Sequence, residues 1–481
     1  VDSSLVGSEM CIRDMFHPDK HWSYGYLQTQ INSGRYQKGP MTYTLGNSRI
    51  NTKAQSRLSG VEITKKDEFR ARTASVELGP VHYTPDSLGI DHLTIKQIGF
   101  TDIPGGATSK IDSIKLRDIH LKSELPFSRQ VFIYGPGLKV VSSESKGNTS
   151  TNGKGISLPS QFFNELTVFP GNVSIGNQRL DFGHLALQAE GETLMMDLRD
   201  LSLETNSNTI EIGRVWSGPS DLYLDSINQV PKPEFIQQIN TELDVISAQI
   251  NRARLHNINW AALWEHKRFE SDSLTIDGID AVIARDKTLP DPEHQWKPYL
   301  LAEFIPEVEN INIPLISGTN GRVVYREIGE KTGKEGFIAI DDISFQFNRY
   351  HPLSEPEQVS HGRGRMYGQG PISYHYHRLD SGRFSLGVNL SDMPLFLLNQ
   401  MVDPLEAARF KSGHLHEFQL EMVGDSLQAT GVGTITYDDL HVEIFKSHQP
   451  DVKNFGSELL TLLVDKLILK HSKYQASADF I

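Results

Sequence analysis

The stretch Gly413 to Phe445, GHLHEFQLEMVGDSLQATGVGTITYDDLHVEIF, decides the fold class. Apolar residues alternate with polar ones through Leu415, Phe418, Leu420 and Met422, break at Gly424-Asp425-Ser426, and resume from Leu427 toward Ile435, Tyr437, Leu440, Val442 and Ile444. Alternation with a period of two around a Gly-Asp break is the pattern of two half-buried antiparallel strands joined by a turn. Its second half holds a smaller unit: an apolar pair two apart, two polar residues, and another apolar pair two apart, here Ile435, Tyr437, Leu440 and Val442.

Working outward, the same spacing recurs at Val76, Leu78, Val81, Tyr83; at Leu93, Ile95, Ile98, Phe100; and at Ile114, Leu116, Ile119, Leu121. It returns at Leu180, Phe182, Leu185, Leu187; at Met196, Leu198, Leu201, Leu203; at Leu274, Ile276, Ile279, Ala281; and at Ile338, Ile340, Ile343, Phe345. Side chains of a strand alternate between faces, so an uninterrupted strand would put the second pair on the opposite face from the first. The intervening residues are Gly-Pro, Lys-Gln, Arg-Asp, Gly-His, Arg-Asp, Asp-Gly, Asp-Asp and Asp-Asp. Most of these do not suit a two-residue hairpin turn. Two readings remain open: a β-bulge between the pairs, or a strand whose covered face swaps halfway along. The expectation is a mainly β protein, built as long, curved or twisted antiparallel sheets of repeated strands with one apolar face, plus a few amphipathic helices.

Composition narrows the function. Across 481 residues there are 47 Lys and Arg against 60 Asp and Glu, a net charge of −13. Non-specific nucleic-acid affinity comes from clustered Lys and Arg, so nucleic acid is not an expected partner. Apolar residues make up 38%, which suits sheets with one wet face. No run of about 18 apolar residues is present to span a bilayer. Residues 1–14, VDSSLVGSEMCIRD, resemble translated sequencing-adapter read-through and hold the single cysteine, Cys11. The native part is expected to begin near Met15, truncated at its start and without cysteine.

Along the chain, residues 15–230 read as an N-terminal β-rich region. Residues 15–60 could supply an edge strand or two, strands follow from Val61 to about Tyr134, Ser142–Gly155 is a polar loop, and strands resume from Phe162 to about Ile227. Pro231 and Pro233 mark a change of period. Phe235, Ile236, Ile239, Leu243, Ile246, Ile250, Leu255 and Ile258 step by three, four and five, which predicts a helical segment over 231–268 covering the core. A second β region spans 269–450, with strands at Ile311–Tyr325 and Phe337–Phe347 around a turn at Gly318-Thr319-Asn320-Gly321, and short helices at 392–410. An amphipathic helix over Asp451–Lys470, with a tail, closes the chain.

No constellation carries chemistry. His375 and His377 share one strand face but lack a third ligand at a defined offset. Gly362–Gly370, GRGRMYGQG, leads into a strand, whereas a phosphate cradle needs a strand before it and a helix after it. Asp341-Asp342 and Asp438-Asp439 are adjacent acids whose side chains diverge, so neither pair can flank a sugar, and they are read as bulge residues. No enzyme activity, catalytic residue, cofactor or metal is expected.

The block FESDSLTIDGIDAVIARDK, the phrases Gly321–Glu327 and Gly336–Ile343, and the closing SGHLHEFQLEMVGDSLQATGVGTITYDDLHVEI resemble the AsmA-like envelope proteins of Gram-negative bacteria, notably the DUF748-type branch of Bacteroidetes. The likeness covers about residues 270–470. It implies a periplasmic β-rich body held to the inner membrane by an N-terminal helix absent from this chain. It also implies a non-enzymatic part in lipid transport between the two membranes and in outer-membrane homeostasis. The lipid partner would lie in an apolar groove whose candidate lining is Leu274, Ile276, Ile279, Ile338, Ile340, Ile343, Phe345, Ile435, Tyr437, Leu440 and Val442. A periplasmic scaffold with sheets closed face to face is the alternative, and a carbohydrate-active β enzyme is the third.

Overall fold

The computed structural model describes residues 28–140, 163–260, 262, 268–291, 311–350, 358–444 and 474–480, apart from residues 39, 52, 66–68, 85–86, 104–106, 123–124, 176–177, 191–192, 331, 381–382, 407 and 426–427. The expectations for 1–14, 142–155 and the helix at 451–470 lie outside the described residues. What is described is mainly β, arranged as open, twisted sheet. It falls into two compact units, one within residues 1–144 and 160–169 and the other within 170–481. Among the described residues no helix is long and apolar enough to cross a membrane.

In the first unit the long strands are Ser56–Lys65, Phe69–Leu78, Ser87–Ile103, Ala107–Lys122 and Leu125–Tyr134, each antiparallel to the next. In the second unit the order runs Thr193–Glu204, Asn208–Ser217, Leu222–Pro231, Val245–His256 and Ser273–Asp286, again antiparallel. Ser273–Asp286 then lies parallel to Ile311–Ile328, a departure from the all-antiparallel expectation. Antiparallel order resumes through Glu335–Tyr350, Gln358–Met366, Gly370–Asp380, Arg383–Pro394, Ala408–Gly424 and Ala429–Ile444. Tyr474–Phe480, expected as a tail, is a strand on Ala429–Ile444.

The two residues between apolar pairs solve a steric problem, and they do so with the bulge-like reading. In six of the eight copies the second of them has left-handed backbone: Gln97, Asp118, Asp200, Gly278, Asp342 and Asp439, with φ between 49° and 69°. A left-handed residue takes the chain out of its pleat for one position, so the second apolar pair returns to the face of the first. Ile435 and Tyr437 are buried in the same cluster against which Leu440 and Val442 pack, so all four sit on one side. The alternative of a swapped face is thereby excluded there.

These kinks align across strands. In the second unit Asp200, Gly213, Ser226, Asn251, Gly278 and Asn320 stand at one level between paired neighbours, forming a seam that crosses six strands. Between antiparallel neighbours the left-handed residues alternate: Asp200, Ser226 and Gly278 have φ of 53°, 58° and 69°, while Gly213 and Asn251 do not share it. Glycine suits position 278 on two counts, because a Cβ there would also lie 2.0 Å from the Asn251 side-chain amide. Gly60, Gln97 and Gly135 mark a similar line in the first unit.

Two sequence expectations fail here. Among the described residues, helix within 231–268 is present at Pro233–Gln238 and at Trp260 and Ala262, whereas Val245–His256 is a strand paired on both sides. The reason is arithmetic. Steps of two, two, three and two, through Ile246, Ala248, Ile250, Ala253 and Leu255, leave separations of four and five that mimic a helical stripe once the alanines are ignored. The supposed turn at Gly318–Gly321 is the seam passing through the unbroken strand Ile311–Ile328, with Asn320 at φ 55°. The chain reverses instead at Gly329–Lys334, where the Gly329 amide donates to the Lys334 carbonyl at 3.0 Å. The short helices expected at 392–410 are present, as a 3₁₀ turn Leu395–Leu398 and a helix Asn399–Glu406.

Candidate apolar binding face

Strand register assembles the apolar pairs of the second unit into rows that run across the strands. One row is Leu222, Leu255, Leu274, Ile316 and Phe347. The next is Leu198, Val215, Leu224, Ala253, Ile276, Gly318 and Phe345. Beyond the seam come Leu201, Ile212, Ile227, Ile250 and Ile279, and then Leu203, Ile210, Gln229, Ala248, Ala281, Val323 and Ile340. At Gly318 the row has no side chain of its own; the Phe345 ring occupies the space, with Cε1 at 2.2 Å from where a Cβ would stand.

Cover over these rows is uneven. Ile258, Trp260 and Phe269 pack with Leu222, Leu224, Leu255, Leu274 and Ile316, roofing one side. Across the seam Leu201, Ile212, Ile227, Ile250 and Ile279 are all only half-buried. Of the fourteen residues of Ser273–Asp286 none is fully buried, so the cover over this strand is partial along its whole length.

The opposite face is charged and internally matched. Asp197 accepts from Arg199 and Arg214, each at 2.8 Å, and Asp225 and Asp221 each pair with an arginine of the next strand, Arg252 and Arg254, at 2.5 Å. The two arginine hydrogen bonds hold the Asp197 carboxyl down at about 2. For Asp225, burial pushes upward, but the bonds from Arg252 and Trp216 outweigh it and the carboxyl titrates low. Trp216 and Tyr223 stack at 3.9 Å, with Arg214 beside the one and Arg254 beside the other. These aromatic rings are capped by guanidinium groups, which leaves no bare platform for a sugar.

On that face, at the ends of the strands, lies a cavity of about 300 Å³. Its floor is the row Val245, Ala284, Arg326, and Ile236, Ile239 and Leu243 lie over it. The charges beside it are matched. Arg326 pairs with Glu335 at 3.1 Å, Arg285 with Asp244 and with Glu242 at 3.3 Å, and Lys287 with Glu327 at 3.2 Å. Burial, and after it the Glu327 carboxylate at 2.7 Å, raise the Tyr325 hydroxyl far above its ordinary value, so it stays protonated and donates.

The eleven groove candidates therefore divide. Leu274, Ile276, Ile279, Ile340 and Phe345 fall in the rows, and Ile343 stands opposite Gly321 beside them. Ile338, Ile435, Tyr437, Leu440 and Val442 do not line an open surface. They belong to a packed cluster with Met393, Leu395, Phe410 and Leu415, roofed by Leu397, Leu398 and Val402. Sequence reading missed Ile210, Ile212, Val215, Leu222, Leu224, Ile227, Ile250 and Leu255. The signal was present in the same two-three-two stepping, masked because Ser217 fills one place in the first set, Gln229 one in the second, and Ala248 and Ala253 two in the third.

His375 stands opposite Gly387 and 3.7 Å from Glu421, and among the described residues no group of three or more ligand-type side chains could hold a metal. The segment GRGRMYGQG ends one strand and turns tightly into the next, with Tyr367 and Gly368 both left-handed at φ 52° and 69°. What fold and face define together is a β-sheet protein with one ion-paired face and one apolar face. No protein-family model matches the chain, and no curated protein matches it either.

Proposed function

We propose that the apolar rows of the second unit receive the acyl chains of lipids, and that the protein is a non-enzymatic lipid-handling component of the cell envelope, working in the periplasm. The observation that carries this reading is the half-open state of the row Leu201, Ile212, Ile227, Ile250 and Ile279, flanked on both sides by further apolar rows. Apolar surface of this continuity that is only partly covered suits a binding surface, and a chain laid on it gains about 0.8 kcal/mol per methylene removed from water. The phrases resembling AsmA-like proteins support the envelope setting and a membrane as the source of the lipid. The scaffold reading is favoured by one observation, the closed cluster around Phe410, which offers no groove.

The test is uptake of a fluorescently labelled phospholipid by delipidated full-length protein. Wild type should load, Ile227→Glu combined with Ile279→Glu should lose most of the signal, and Val432→Glu, away from the rows and already 48% exposed, should leave it unchanged. Absence of uptake by wild type rejects the reading in favour of the scaffold.

A further inference from the structure

Among the described residues, one buried side-chain nitrogen or oxygen has no hydrogen-bond partner: the indole Nε1 of Trp260. An N–H shut away from water without an acceptor is costly, and native structures rarely leave one so. Its place is informative. Trp260 belongs to the roof over the rows, packing on the buried cluster of Leu255, Ile258 and Ile313 to which Leu222, Leu224, Leu274 and Ile316 also contribute. The roof is pinned at its ends and not at the indole: the Ile258 amide donates to the Ser220 carbonyl at 2.7 Å, the Asn259 amide to the Glu270 carbonyl at 2.9 Å, and the Ala262 amide to the Asn259 side chain at 3.0 Å.

We infer that Trp260 is a specificity-determining residue for a lipid on the apolar rows, its indole N–H donating to the acyl ester carbonyl at the head of the chain. The inference rests on the lipid reading above and adds to it a residue, a place for the headgroup end and a chemical class. A hydrocarbon alone would leave the N–H as it is; an ester supplies an acceptor with no N–H or O–H of its own to satisfy. Because Nε1 is closed to solvent, entry of the carbonyl displaces part of the roof by the width of a side chain.

The experiment compares, on the delipidated full-length chain, a short-chain diacyl phosphatidylcholine with its dialkyl ether counterpart of equal chain length. Wild type should bind the ester form about tenfold more tightly, the effect of one hydrogen bond to an otherwise unpaired donor. Trp260→Phe keeps an aromatic ring in the roof and should bind the two lipids equally. In wild type carrying ¹⁵N-indole label, one of the five tryptophan N–H resonances should move with the ester lipid and stay in place with the ether. Equal binding of ester and ether by wild type, or a preference that persists in Trp260→Phe, overturns the assignment while leaving lipid binding intact. Binding of neither lipid overturns both readings. Should Trp260→Phe fail to fold, the wild-type resonance decides: movement with the ester alone supports the assignment, and absence of such movement overturns it.

Discussion

Two regions of the second unit are written in the same code and end in different states. Around Phe410, the sets Val388, Leu390, Met393, Leu395 and Ile435, Tyr437, Leu440, Val442 pass through left-handed Asp392 and Asp439 and become a core, with Phe410, Met393 and Leu395 at most 1% exposed. Around Ile250, the same stepping passes through left-handed Ser226 and Gly278 and stays half-open. The strands do not differ in kind. What differs is the turn and helix Leu395–Glu406, which lay Leu397, Leu398 and Val402 on the first set. An apolar face on a sheet is thus a common starting point, and the presence of a roof decides whether it becomes core or binding surface.

The largest test of that contrast is truncation on each side. Phe410→Ala should cost about 3–5 kcal/mol in urea unfolding, whereas Ile279→Ala should cost about 1 kcal/mol, since a half-exposed side chain leaves no sealed cavity. Equal costs would mean that the Ile279 rows are core as well. Next in size is the attachment of the roof. Asn399 clamps the strand below it, donating to the Phe410 carbonyl at 2.9 Å and accepting from the Phe410 amide at 2.8 Å. Asn399→Ala should lose about 1–3 kcal/mol and raise the binding of an apolar dye at the C-terminal cluster toward that of the open rows.

The seam gives a smaller effect of opposite sign. Ser226 holds φ 58° at an exposed position, and Ser226→Gly should gain up to about 1 kcal/mol by relieving a left-handed residue that carries a Cβ. A loss on that substitution would show that the serine side chain, and not the backbone alone, holds the kink.

Smallest is the ion-paired face. The Asp197 carboxyl is held at about 2 against an ordinary 3.8, so its contribution is present above pH 4 and disappears as the pH falls through 2. The carboxylate is partly open to solvent, which limits the contribution to under about 1 kcal/mol. Thermal melts between pH 4 and 2 should fall more steeply for wild type than for Asp197→Asn.

Much of the architecture could be read before any coordinates. The hairpin on either side of Gly424, the bulge role of Asp342 and Asp439, and the short helices after Pro394 all follow from local rules of pleat, turn and period. Val245–His256 could not be read that way. Ala248 and Ala253 are small enough to drop out of an apolar count, and the remaining residues fall at helical spacing. Five of the eleven groove candidates lie in the packed cluster for another reason: Leu440 and Ile279 hold the same place in the repeated spacing and differ in what lies above them.

By itself, the sequence determined that strands form over most of the chain and where their alternation breaks, because alternation is a property of a few consecutive residues; that the apolar pairs keep to one side followed only from the left-handed backbone at the breaks. The tertiary structure alone decided which stretches of that apolar side are covered and where the indole of Trp260 comes to rest without a partner. Cover depends on contacts between residues remote in sequence, and no local pattern records them.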